Sequence, residues 1–174
     1  MRIIIINLII LLSLVIIFGG CSHTSLKTTE IKHIPVDNLD KIISTEYVDF
    51  DATVTSDGNG SIKVICDEPT VVELYVLDDI DVEDVRLIYE AKMRTENLRG
   101  MAYLEMYCCF DDLGEYFSRD LQTPITGTSS WRHEETPFFL QKGQHPDRIK
   151  LNVVIDGVGT VWIDDIRLIK GPLG

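Results

Sequence analysis

Lysine and arginine are scarce in this sequence: 16 stand against 28 aspartates and glutamates, for a formal net charge of −12. Phosphate backbones and anionic lipid surfaces are held by basic patches, so the shortage excludes nucleic acid as a partner and charge-driven membrane binding. The acidic excess suits cations and neutral ligands such as sugars, and it also serves simply to keep a domain soluble. Catalytic signatures are missing too. There is no GxSxG, HExxH, GxGxxG or Walker loop. Glu134 and Glu135 are adjacent, so in a strand they face opposite ways and form no acid/base pair. His33, His133 and His145 show no ligand spacing. These absences argue against an enzyme. Cysteine is limited to positions 21, 66, 108 and 109, with no zinc-type spacing. In an oxidising compartment Cys66 has Cys108 or Cys109 as a disulfide partner, and a buried free thiol at Cys108 is the other reading. Repeats, low-complexity tracts and long amphipathic helices are absent.

One long apolar run is present. Met1-Arg2 is followed by Ile3–Phe18, broken only by Asn7 and Ser13, and then by Gly19-Gly20-Cys21-Ser22. A positive charge, an apolar stretch and small residues are the parts of a secretory signal. A cysteine directly after the small residues makes the segment resemble a bacterial lipoprotein signal. That resemblance implies lipidation of Cys21, membrane attachment through the lipid, and a place in the cell envelope. The anchor would sit in an outer membrane or on the extracytoplasmic face of the cytoplasmic membrane. An ordinary signal peptide and an uncleaved anchor are the competing readings. The run is slightly shorter than the roughly 20 residues of a spanning helix. Residues 1–20 are thus expected to be a signal peptide. Residues 21–44, polar and without a clear period, read as a tether with room for a short helix near Val36–Ile43. Residues 45–171 have the size of one domain.

From Glu46 onward, alternating and β-branched runs recur between turn signals. Strands are expected at 47–55, 61–66, 71–77, 84–94, 102–110, 134–140, 148–155 and 160–169. The Asp57-Gly58-Asn59-Gly60 run supplies a hairpin turn. About eight strands without a helix predict an all-β domain, an antiparallel β-sandwich of jelly-roll type. Alternation also assigns faces. Leu87, Tyr89, Ala91 and Met93 point to a core, as do Ala102, Leu104, Met106 and Cys108, and Ile149, Leu151, Val153 and Ile155. The opposite faces carry Lys92, Arg94, Tyr103, Glu105, Tyr107 and Asn152.

The closing strand, Trp162-Ile163-Asp164-Asp165-Ile166-Arg167-Leu168, reads with Trp162, Ile166 and Leu168 on one parity and Asp164 among them. A carboxylate on an apolar face is costly unless it is paired or metal-bound. This pattern resembles the last strand of galactose-binding-like jelly rolls, the superfamily of many carbohydrate-binding modules. Ala91–Arg94 followed by Gly100–Glu105 looks like that family's central hairpin, and Gly127–Trp131 like the turn before its next long strand. The resemblance implies a structural calcium ion with Asp164 as first ligand and Asp165 second. Glu46 or Asp49, the Asp57 region and the Gly60 carbonyl would complete the oxygen set. Capping of a strand end, or pairing with Arg167, is the alternative for the two aspartates. Sugar-binding faces combine rings that stack on pyranose C–H faces with polar groups that bond hydroxyls. Lys92, Arg94, Tyr103, Glu105, Tyr107 and Asn152 have that chemistry, with Trp131 near an edge. The expectation is therefore a non-catalytic envelope protein that binds a carbohydrate. The alternative is a structural lipoprotein that docks an envelope protein.

Overall fold

The computed structural model describes residues 27–173, so Cys21 and the apolar run lie outside the described residues. Eight strands follow in order: β1 (Thr29–Ile34), β2 (Val48–Asp51), β3 (Ser61–Cys66), β4 (Thr70–Asp78), β5 (Val85–Phe110), β6 (Gly114–Arg119), β7 (Ile125–Leu140) and β8 (Arg148–Gly171). All pairing is antiparallel, and the described residues contain no helix.

The frame is a ribbon of the two longest strands. β5 pairs with β8 from Arg86↔Gly171 to Cys109↔Arg148. Such a ribbon cannot stay flat and still bury a core, and it bends midway. Asn97 (φ 53) and Gly100 (φ 124) mark the bend on β5. Gly100 faces Gly157 across the ribbon so closely that a Cβ on Gly100 would lie 2.1 Å from the Asp156 carbonyl oxygen. Only a residue without Cβ fits there. The bend divides the sandwich into two layers. In the first, the N-terminal half of β5 lies between β7 and the C-terminal half of β8, which β3, β2 and β1 extend. In the second, the order is β6, β5, β8, β4.

The core lies between the layers. Leu87, Tyr89, Ala91 and Met93 from the first meet Leu104, Met106, Cys108, Leu151 and Val153 from the second, and all are essentially inaccessible. The expected β-sandwich and its core-facing sets are present. Four details differ. The predicted central hairpin is a continuous bent strand, because β8 pairs with it on both sides of the bend. The expected tether contains β1, and Val36 from the same segment joins the core, so residues 29–36 are part of the domain, and the described part of the segment carries no helix. β6 is an additional strand. Finally, Asp165 (φ 48) forms a bulge that shifts β8 by one residue, Glu90 facing Arg167 while Lys92 faces Asp164. The bulge puts Val161, Ile163, Ile166 and Leu168 in the core and turns Trp162 outward. Of the two cysteine readings the free thiol is the one present: Cys66, Cys108 and Cys109 are free and buried.

Candidate ligand-binding face

The outer face of the second layer is a polar and aromatic platform. One row of cross-strand neighbours runs perpendicular to the strands: Arg119 on β6, Glu105 on β5, Asn152 on β8 and Glu73 on β4. Phe117, Tyr107 and Lys150 form a parallel row on one side. Tyr103, Val154 and Val71 form another on the opposite side. Period-two alternation puts each of these residues on the face away from the core.

The centre of the platform is a buried polar network. Glu105 is only 2% exposed. The Arg119 guanidinium donates to its Oε2, and the Asn152 amide donates to its Oε1 at 3.1 Å. A carboxylate only accepts, so the amide nitrogen of Asn152 must face Glu105. That turns Asn152 Oδ1 away, buried and without a hydrogen-bond partner. A buried acceptor left in this state awaits a donor. Aromatic rings flank the network. Tyr107 and Phe117 lie 5.7 Å apart, the Arg119 guanidinium sits 4.3 Å over the Phe117 ring, and Lys150 Nζ is 5.9 Å from Tyr107. Lys150 also donates to Glu115 at 2.8 Å, which holds the Glu115 carboxyl below its usual range. The face thus offers π surfaces beside fixed donors and acceptors, the combination that grips a polyhydroxylated ring.

The expected ligand residues divide between two faces. Tyr103, Glu105, Tyr107 and Asn152 come together. Lys92 and Arg94 do not join them, because they lie before the bend and point outward from the first layer. There Arg94 and Lys63 lie 5.2 and 5.6 Å from the Trp162 ring centre, and the Trp162 indole donates to Asp51 at 3.0 Å. Trp131 sits on β7, also in the first layer. Sequence reasoning missed Phe117, Lys150 and Glu115. The alternation of Glu115, Phe117 and Arg119 was the available signal.

Of the oxygens that the resemblance assigned to calcium, both of Asp164 and one of Asp165 are already engaged. Asp164 is fully buried, and its Oδ2 accepts from the Ser56 and Asp57 amides at 2.7 and 2.9 Å and from the Thr55 hydroxyl at 3.2 Å. Its Oδ1 accepts from the Asp165 amide at 2.7 Å. Asp165 Oδ1 is bonded by His33 Nε2 at 2.9 Å and Arg167 Nε at 2.8 Å. Asp49 faces Lys63 on the β2–β3 pair, and Glu46 is exposed in the loop before it. The Phe50 ring packs against Gly60. His33, Asp57 and Asp165 bring ligand atoms within 4.8 Å of one another, and the Asp164 oxygens are occupied by N–H and O–H donors. They form a polar clasp between the 51–60 loop and β8.

No family model matches the chain, and no curated protein matches it. Solved structures do. A family 16 carbohydrate-binding module shares 12% identity with a TM-score of 0.52, over 70% of this chain and 84% of that one. The CBM22-1–GH10 modules of Clostridium thermocellum xylanase 10B, solved with xylohexaose, share 16% identity with a TM-score of 0.57, over 80% of this chain and 28% of that one. The CBM22-1 xylan-binding domain of Paenibacillus barcinonensis Xyn10C shares 11% identity with a TM-score of 0.52, over 73% of this chain and 82% of that one. The chain thus spans little more than a quarter of the xylanase structure it matches. At these identities the likeness concerns architecture alone: the chain has the β-sandwich fold of these modules.

Proposed function

We propose that the protein binds a neutral carbohydrate on the outer face of the second layer, without catalysis. The carrying observation is the buried Glu105–Asn152 pair with an unpaired acceptor, set between aromatic side chains. Support comes also from the fold, shared with a module solved with xylohexaose and with a xylan-binding domain. In this reading a pyranose lies over Tyr107 or Tyr103 while its hydroxyls donate to Asn152 Oδ1 and accept from Arg119. The test is a glycan array probed with the full chain, with and without chelator, followed by titration of each hit. Tyr107→Ala removes a ring from the platform and is expected to weaken binding about tenfold, close to 1.4 kcal/mol. Trp131→Ala on the other layer is expected to leave binding unchanged. A blank array with folded protein, or equal effects of the two substitutions, would sink the proposal.

The cell-envelope reading is carried by residues 1–22 alone. We propose that Cys21 is lipidated and tethers the domain to a membrane, where many weak contacts to a polymer gain avidity. Expression of Cys21→Ser in a bacterial host is expected to move the protein from the membrane fraction to the soluble one and to abolish labelling by radioactive palmitate. Unchanged fractionation and labelling would overturn it.

A further inference from the structure

A polar cavity of about 370 Å³ opens where the edge strands of the two layers meet, between β6 and β7. Ser118, Arg119, Asp120, Gln122, Thr123 and Glu134 line it. Glu134 sets its chemistry. It lies on an edge strand, yet it is only 3% exposed, and its Oε1 has no hydrogen-bond partner. Arg132 Nε approaches that oxygen to 3.1 Å, but off the line of a hydrogen bond. The neighbours are already satisfied. Asp120 accepts from the Gln122 and Thr123 amides and from the Thr123 hydroxyl. Ser118 donates to the Pro137 carbonyl and shares a bond with Thr136. Glu134 Oε1 and the remaining lone pairs of Thr123 are the cavity's free acceptors, beside the side-chain donors of Arg119, Gln122 and His133. Burial pushes the Glu134 carboxyl above its usual range, with Arg132 and His133 opposing and Asp120 reinforcing the shift. A desolvated acceptor is costly until something donates to it.

Position links this cavity to the binding face. The row Glu73–Asn152–Glu105–Arg119 crosses four strands, and at ~4.8 Å per strand it accommodates roughly three sugar units. Arg119 ends that row and also lines the cavity. A longer chain laid along the row passes over β6 and arrives at Glu134. We propose that the edge cavity ends the glycan path and takes the hydroxyls of a further sugar unit on Glu134 Oε1. This rests on the carbohydrate reading of the face.

The experiment titrates the full chain, in detergent, with β-1,4-linked xylo-oligosaccharides of increasing length, from disaccharide to hexasaccharide. Affinity is expected to rise about tenfold from the trisaccharide to the pentasaccharide. Glu134→Leu, which removes the acceptor at similar volume, is expected to erase that rise and leave the trisaccharide affinity intact. Its melting temperature should be at or above wild type, because a poorly paired buried charge is gone. A purely structural role would instead lower it. Thr123→Ala is the second variant, expected to weaken only the longer ligands, about threefold. A length gain that survives both substitutions, or no length gain in the wild type, overturns the edge site while the face stands. Failure of every length to bind, together with a blank glycan array, overturns both.

Discussion

Asp164→Ala is expected to lower unfolding stability by about 3–5 kcal/mol. Four donors converge on this fully buried carboxylate, three of them from residues 55–57. Charge-assisted bonds to a buried acceptor contribute roughly 1.5–3 kcal/mol each, and their sum is reduced because the exposed loop amides find water once released. The loss also frees the 51–60 loop from β8. That would loosen Asp51, whose carboxyl is held well below its usual range by the Thr53 hydroxyl and the Trp162 indole. Asp164→Asn should fall between, since one carboxylate oxygen is kept and the amide nitrogen repels the N–H groups it faces. Urea titration followed by tryptophan fluorescence gives the values. The same titration of wild type in EDTA is expected to show no shift, because donors already reach both Asp164 oxygens. A chelator-induced drop to the level of Asp164→Ala would mean that calcium holds the loop and that this hydrogen-bond pattern is not the functional one.

Alternation was informative wherever the ladder is uninterrupted. Tyr103, Glu105 and Tyr107 lie on one unbroken stretch of β5, and Asn152 lies on the matching stretch of β8, so counting by twos placed all four on one face. The same count failed across a backbone irregularity. Between Arg94 and Tyr103 the register shifts at the bend, where Asn97 and Gly100 take positive φ, and the chain passes from one layer to the other. Lys92 and Arg94 therefore ended on the wrong side of the molecule. At Asp164–Asp165 a single extra residue exchanged Trp162 for Ile163 in the core. Neither feature has a local signature strong enough to fix its position, because Asn, Gly and Asp are also ordinary turn residues. β1 and β6 were missed for another reason. They are six-residue edge strands with mostly exposed side chains, and their pairing to β8 and β5 supplies the order that their own composition does not. What the sequence did not reveal is the burial of Glu105: it reads as an outward polar residue, and only the arrival of Arg119 from β6 makes a buried carboxylate tolerable there.

Arg119→Ala is expected to be more destabilising than Glu105→Ala, although the two side chains make the same ion pair. The reason is that their exposures differ: 35% for the Arg119 side chain and 3% for that of Glu105. When Glu105 is removed, the guanidinium swings into water and keeps most of its solvation. When Arg119 is removed, the carboxylate stays buried with only the Asn152 amide beside it. A stranded buried charge costs about 3–5 kcal/mol, whereas a surface-side partner left alone costs about 1 kcal/mol or less. Adding Glu105→Gln to Arg119→Ala should recover most of the loss, since a neutral amide needs no counter-charge and still accepts from Asn152. Binding is expected to follow a different order. Arg119→Ala, Glu105→Ala and the double variant should all weaken the glycan by about 30-fold or more, near 2 kcal/mol, because each removes part of the row that fixes the sugar hydroxyls. Denaturant midpoints and glycan titrations on the same four proteins separate the two effects. Recovery of stability without recovery of binding would place the pair in the ligand's path. Joint recovery would reduce it to a structural pair and leave Tyr107 and Asn152 to carry the face.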